Sequence, residues 1–246
     1  MVASGISAAA ALYGLLRLDG RLPAEASSAL DDAEETPSLS VLWKIKTSCF
    51  ATFAYGYFQA SVVLFLPLFL IEAKGLEREQ TIVIPAFFAA GMLLFASVAA
   101  RVGDRIGHLV VMRALAFVGM LMILGFVWLD AYPLMCAAVF VAGATLASIS
   151  PVSLALQGVV SKRRDLSRAT AIYNAFYAAG MLIGPPISSL LFQRISGAAM
   201  LHHLALLWAG FVVFTLASHR DDPAPRHRRR DDAPGADYAT ELTCQP

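Results

Sequence analysis

Long apolar runs separated by short polar joints set the pattern of this chain. Crossing the hydrocarbon core of a bilayer takes about 20 apolar residues as a helix, and six runs reach that length. They are Thr47–Ile71, Thr81–Ala100, Leu109–Leu129, Pro133–Val160, Ala169–Phe192 and Ala198–Ser218. All 18 acidic residues lie outside these runs. One basic residue, Arg113, lies inside a run, close enough to the start of the third span for its long side chain to reach the headgroups. Lipid offers no partner to backbone amides, so such segments must be helical. Six consecutive runs of spanning length, with charge confined to the joints, argue against buried helices of a soluble domain. The expected fold class is an all-α membrane protein with six transmembrane helices.

The basic residues orient these helices. With Lys44 and Lys46 on the cytoplasmic side and strict alternation from there, the external loops hold Lys74, Arg78 and Arg194. The rest of the 19 Lys and Arg then fall on the cytoplasmic side. An odd helix count would scramble that division. Both ends of the bundle are therefore expected inside, in the plasma (inner) membrane. Residues 18–39 and the tail 219–246 are rich in Asp, Glu, Pro, Ala and Ser without apolar periodicity. Both are expected to be cytoplasmic and disordered. The domain expectation is thus residues 1–46 as a lead-in with a linker, 47–218 as the six-helix bundle, and 219–246 as a tail.

Composition fits this picture. Apolar residues make up 58% of the 246 residues and charged residues 15%, against about 25% charged in soluble domains. The mean hydropathy is +0.64. A net charge of +1 gives no electrostatic case for a nucleic-acid partner. Cys49, Cys136 and Cys244 share no disulfide or metal spacing.

Two segments resemble each other. Ala86–Leu94 in the second span reads AFFAAGMLL and Ala175–Ile183 in the fifth reads AFYAAGMLI, with seven of nine positions identical. Pairing the second of six helices with the fifth is what an inverted 3+3 repeat would produce. The joint between the second and third spans, Ala100–His108, carries Gly103, Asp104, Arg105 and Gly107, and reads as a tight loop in which Asp104 caps a helix N-terminus. In the fifth span, Gly180 and Gly184 make a small-xxx-small face for close approach of another helix. Pro185 and Pro186 follow and each remove a backbone donor.

These residues resemble the major facilitator superfamily, specifically its C-terminal half. Asp104, Arg105 and Gly107 match the G-x-x-x-D-R-x-G signature between the second and third helices of a half, although Ala100 stands at the first glycine and His108-Leu109 at the usual basic positions. Gly180, Gly184 and Pro185 match the glycine-proline motif of the family's efflux members, with Ser188 and Ser189 in place of later glycines. The resemblance covers Lys44 to Ser218. Val2–Leu16 resembles the end of a sixth helix of a first half, and residues 18–39 the connection between halves. The resemblance implies alternating access by two six-helix bundles around a midplane site. The first and fourth helices of a half would line the cavity, the second and fifth would meet the other half through their small-residue faces, and the third and sixth would face lipid. Asp104, Arg105, Gly107, Gly180, Gly184 and Pro185 would then be gating residues.

Polar residues inside the spans are the candidate contacts for a small-molecule substrate. Tyr55 and Gln59 are four apart and share a face of the first span, with Gln59 near mid-membrane, where an amide must find a partner. Tyr57 and Ser61 share another face and read as helix packing. Ser150, Ser153 and Gln157 follow i, i+3, i+7 on the fourth span, beside the bend expected at Pro151. Asn174 and Tyr177 share a face of the fifth. His202 and His203 point apart, which argues against a metal site. No span holds a carboxylate. Nothing resembles a nucleophile–base pair, a phosphate-binding loop or a ligand cluster, so neither an enzyme site nor a cofactor is expected. The reading is a secondary transporter of a small organic solute, an efflux permease present as a C-terminal half. Its partners would be substrate, membrane lipid, and a missing N-terminal half or a second copy. The alternatives are a non-transporting six-helix membrane structural or interaction protein, or a homodimerising half-transporter.

Overall fold

A computed structural model describes residues 37–218, which belong to the part of the chain beginning at Pro37. The expected lead-in segment before Pro37 and the tail after Ser218 lie outside the described residues. Among the described residues every regular element is helical. A short helix, α1 (Ser38–Lys44), begins in the last two residues of the stretch 18–39 that was expected to be disordered and fills most of the interval before the first span. Pro37, with no amide hydrogen and an extended backbone, precedes it. Six helices long and apolar enough to cross a membrane follow: α2 (Lys46–Lys74), α3 (Arg78–Ile106), α4 (His108–Phe126), α5 (Tyr132–Val160), α6 (Leu166–Arg194) and α7 (Gly197–Ala217). They coincide with the six expected spans, each extended or trimmed by a few residues at the ends.

The joints show why the helices stop. Gly75 ends α2 in the left-handed region, φ 66°. Its amide donates to Ile71 O and that of Leu76 to Leu70 O, so the last carbonyls are satisfied. Glu77 and Gln80 then form a reciprocal capping box that starts α3. Lys74 donates to Val127 O past the end of α4 and pairs with Asp130, both at 2.8 Å. Ser196 Oγ accepts from the Ala199 amide at the start of α7. At the other end Arg113 Nη2 donates to Thr215 O at 2.8 Å, so this guanidinium satisfies a terminal carbonyl of α7.

α5 is not uniform. It is α-helical over Tyr132–Ala142, widens into a π turn at Gly143–Ala147, and resumes at Ile149–Val160. Pro151 lacks the amide hydrogen that would bond the Ala147 carbonyl, four residues back. Thr145 Oγ1 donates to Val141 O at 2.7 Å and Ser148 Oγ to Ala144 O at 2.6 Å, supplying donors to backbone carbonyls within the irregular stretch.

α2 packs along α6, α3 along α5, and α4 against α7. Trp208, Phe211, Phe58 and Phe50 form an edge-to-face aromatic chain with centroids 5.6–6.1 Å apart. Between lipid-facing helices the hydrophobic effect contributes little, so backbone proximity carries the packing. Two crossings show it. A Cβ on Gly180 would stand 2.9 Å from Tyr57 N, and closer still to Phe53 O. One on Gly184 would stand 2.7 Å from Tyr57 O, and one on Gly56 2.5 Å from Tyr177 O. At the α3–α5 crossing, a Cβ on Gly91 would stand 2.8 Å from Ala144 N and one on Gly143 2.8 Å from Phe88 C.

These contacts correct one expectation. The glycine faces of the second and fifth spans are occupied inside the bundle: Gly180 and Gly184 by α2, Gly91 by α5. A small-residue stripe announces close approach without naming the helix that approaches. α3 and α6 are nonetheless the least buried of the six, and their outward faces carry Leu93, Leu94, Leu182 and Leu190, all more than half exposed.

Candidate functional site

The bundle has a basic end, where Lys46, Arg105, Arg113 and Lys162 lie, and an opposite end, where Lys74 and Arg194 lie. Gln59 sits near the middle of the 29-residue α2. The Tyr177 hydroxyl of α6 donates to Gln59 Oε1 at 2.8 Å. The Tyr55 ring stacks on that of Tyr177, with centroids 6.2 Å apart at 22°. Three of the expected contact residues therefore form one group across the α2–α6 crossing. Gly56 lets Tyr177 come this close, because its missing Cβ is what admits the Tyr177 backbone. The tyrosine occupies the amide's acceptor oxygen. The Gln59 side chain also lines a cavity of about 160 Å³ with Val62, Leu66, Pro85, Phe88 and Val139. The arrangement places one amide on an otherwise apolar cavity wall.

The serines and Gln157 form a second group, nearer the basic end. Tyr173 OH donates to Ser150 O at 3.2 Å and lies 2.9 Å from Ser153 Oγ and 3.3 Å from Ser150 Oγ. Gln157 Nε2 donates to Thr170 Oγ1 at 3.1 Å, and its Oε1 is buried without a partner. Ser48 Oγ donates to Ser153 O at 2.9 Å. This group ties α2, α5 and α6 together. Asn174 is exposed on α6 and joins neither group.

The expected loop at Asp104 is shorter than its sequence implied. α3 continues through Ile106, placing Asp104 and Arg105 in its last turn, and the break is Gly107 alone, at φ 107°, ψ 133°. That region is open only to glycine. Asp104 therefore does not cap α4; Gly107 holds the N-cap position. Asp104 Oδ1 instead lies 3.5 Å from Nε2 of His108, the first residue of α4, without hydrogen-bond alignment. Gly103 is buried beneath, where a Cβ would stand 3.2 Å from the His108 ring. Asp104, Gly107 and His108 thus form a compact joint between α3 and α4, while Arg105 is exposed. Pro185 and Pro186 lie inside α6, which runs on through both.

Sequence reasoning missed the partners that reach across helices. Ser188, the residue standing for a glycine, donates to Ser61 at 2.8 Å, and His203 Nε2 lies 2.7 Å from Tyr57 OH. The close approaches of Gly56 and Gly143 were also missed, though each has a small residue four positions on, Ala60 and Ala147. Among the described residues no three His, Cys, Asp or Glu side chains gather as a metal site.

The family model described as Major Facilitator Superfamily matches residues 2–242. No curated protein matches the sequence. With six membrane-length helices and a match over nearly the whole chain, this multi-pass membrane protein belongs to the major facilitator superfamily, a family of membrane transporters.

Proposed function

We propose that the bundle moves a small organic solute by alternating access, in the efflux direction, with the basic end facing the cytoplasm of a cell bounded by the plasma membrane. The observation that carries the reading is Gln59: an amide near the middle of α2, its oxygen held by Tyr177 and its side chain lining a cavity. An uncharged polar group at that depth is costly unless paired or hydrated. The direction rests on the resemblance of Gly180, Gly184 and Pro185 to the glycine-proline motif of efflux members. In this reading Tyr55, Gln59 and Tyr177 contact solute, joined by Asn174 from the exposed face of α6. Ser150 and Gln157 close the cytoplasmic side. The Asp104–Gly107 hinge and the Gly180–Pro185 segment change shape between states.

We further propose that the bundle is an inverted 3+3 repeat. Gly91 meets Phe140 and Ala144 as Gly180 meets Phe53 and Tyr57; Gly143 meets Phe88 as Gly56 meets Tyr177. Exchanging the first three spans with the last three turns one set of contacts into the other. The outward faces of α3 and α6 then receive a second six-helix bundle, which supplies the opposite cavity wall. The chain alone is accordingly expected to give no solute flux in vesicles.

The test is flux in vesicles holding the bundle with its complementary bundle. Gln59→Leu should raise the half-saturating solute concentration about tenfold, the equivalent of one hydrogen bond near 1.4 kcal/mol. Tyr177→Phe should have a smaller effect in the same direction. Unchanged affinity in both variants removes the assigned contact. A discrete homodimer of this chain with saturable flux would replace the two-bundle arrangement by a self-complementary one.

A further inference from the structure

Between α3 and α4, floored by α5, lies a groove of about 470 Å³. Phe95, Val98 and Ile106 stand on its α3 wall, Ala114 on its α4 wall, and Phe140 and Thr145 on its floor. It shares no residue with the Gln59 cavity. Thr145 belongs to the π turn of α5 and brings the only hydroxyl to the wall. That hydroxyl already gives its hydrogen to Val141 O at 2.7 Å. The remaining lining residues are Ala, Val, Leu, Ile and Phe. Water therefore finds no adequate set of partners in the groove, and an apolar occupant is required.

The groove has the reach of one leaflet. Phe95 and Thr145 lie near the middle of the 29-residue spans of α3 and α5. From Phe95 to Ile106 the groove runs about 16 Å along α3, against about 15 Å for half of a hydrocarbon core. It ends at the Gly107 joint, at the basic end of the bundle. There Arg101 and Arg105 are exposed, one helical turn apart on α3. Each precedes a lining residue, Val102 and Ile106, so both side chains stand beside the mouth. The neighbouring carboxylate, Asp104, lies 3.5 Å from His108 Nε2. Arg113 is engaged with the Thr215 carbonyl.

We propose that this groove seats one acyl chain of an anionic phospholipid from the leaflet at the basic end, with the headgroup at Arg101 and Arg105. Lipid tails are as apolar as the wall, so burying the chain selects little by itself. Choice among lipids comes from the headgroup. An anionic group gains roughly fivefold for each cationic side chain near the membrane surface. Two arginines then favour an anionic lipid about 25-fold over a zwitterionic one with the same chains. The groove supplies position: it holds the chain between α3 and α4 and against the π turn. That contact on three helices distinguishes the seated lipid from lipid lying on the outward faces around Leu93 and Leu182.

The test needs no flux. The full chain in detergent is titrated with dioleoyl phosphatidylglycerol or dioleoyl phosphatidylcholine, and bound lipid is counted by native mass spectrometry. One phosphatidylglycerol should be held per chain, about 25-fold more tightly than phosphatidylcholine. Arg101→Gln combined with Arg105→Gln should bring phosphatidylglycerol to the level of phosphatidylcholine. Ala114→Phe and Val98→Phe put a ring into the groove from opposite walls, and each should weaken both lipids. Val213→Phe, on an exposed face of α7, should weaken neither. Glycerol 3-phosphate, the phosphate without the chain, should not displace the lipid. Unchanged retention in both groove-filling variants overturns the proposal, because the chain then lies elsewhere. Equal retention of the two lipids by the wild type, or displacement by glycerol 3-phosphate, overturns it as well. Circular dichroism accompanies every variant, and weakening that follows loss of helix rather than filling of the groove counts against the site.

Discussion

Replacing Gly180 by alanine should push α2 and α6 apart. The new Cβ would stand 2.9 Å from Tyr57 N and 3.1 Å from Phe53 C, and closer still to Phe53 O. Comfortable separations at such contacts are about 3.5 Å or more. All three opposing atoms are backbone, so no side chain can swing aside, and the axes must separate by at least about 0.5 Å at the crossing. Overpacking of this kind costs about 1–3 kcal/mol. Alanine recovers about 0.5–1 kcal/mol of helix propensity over glycine. The net expectation is a loss of about 1–2 kcal/mol. The separation would also pull Tyr177 from Gln59, since that hydrogen bond spans the same crossing. The assay is reversible unfolding of the purified chain by SDS in mixed micelles, with Gly210→Ala and Gly125→Ala as controls. A Cβ at either control position meets nothing within 4 Å, so only the propensity gain remains. The reasoning fails if Gly180→Ala unfolds at the same SDS fraction as the controls.

Reporter fusions after Gly75 and after Ser218 should fall in opposite compartments, with the Ser218 fusion cytoplasmic; the same compartment for both would contradict six spans. Asp104→Asn should lower turnover more than solute affinity in vesicles holding both bundles, because Asp104 lies at the α3–α4 hinge and not at the Gln59 cavity; lost affinity at unchanged turnover would place it in the binding site. Gly107→Ala should cost about 1–3 kcal/mol in SDS unfolding, because φ 107° with ψ 133° is open only to glycine. An unaltered unfolding curve would mean the hinge readily adopts another backbone.

Much of the fold was legible because a bilayer permits few solutions. Charged joints bound the spans, and backbone amides without water must bond within the helix. The ends were less legible. Arg101–Ile106 is polar enough to read as a loop, yet charged side chains are tolerated on a helix that has emerged from the apolar layer, so α3 runs to Gly107. Helix partners were not legible. Gly180 and Gly184 announced close approach, but nothing local distinguishes α2 from a second bundle as the approaching surface. The pairing of Gln59 with Tyr177 spans 118 residues of sequence, and that of Tyr57 with His203 spans 146. Periodicity placed each residue on a face, whereas helix packing decided which faces meet. Pro151 did signal an irregular α5, though not that the change is a widening one turn earlier.

That widening raises the question of what holds the register of α5, and a single substitution answers it. Pro151→Ala restores an amide hydrogen to the Ala147 carbonyl, worth about 0.5–1.5 kcal/mol if the helix closes into regular α geometry. Closing it removes one residue from the π turn, and each residue turns the helix by about 100°. Ser153 and Gln157 would then leave Tyr173, Ser48 and Thr170, breaking three inter-helix hydrogen bonds of 2.9–3.1 Å. On the other side of the turn, Gly143 is pinned against the Phe88 backbone. One regained bond does not offset three lost ones together with a displaced glycine contact, so the π turn should survive the loss of its proline. A cysteine pair at Gln157 and Thr170, which removes the longest of the three bonds and leaves the other two and the Gly143 contact, should cross-link equally well with Pro151 retained and with Pro151→Ala, in a background free of Cys49, Cys136 and Cys244. Loss of the cross-link in the Pro151→Ala background would show that the proline, not the packing, sets the register. The second polar group would then depend on one backbone donor.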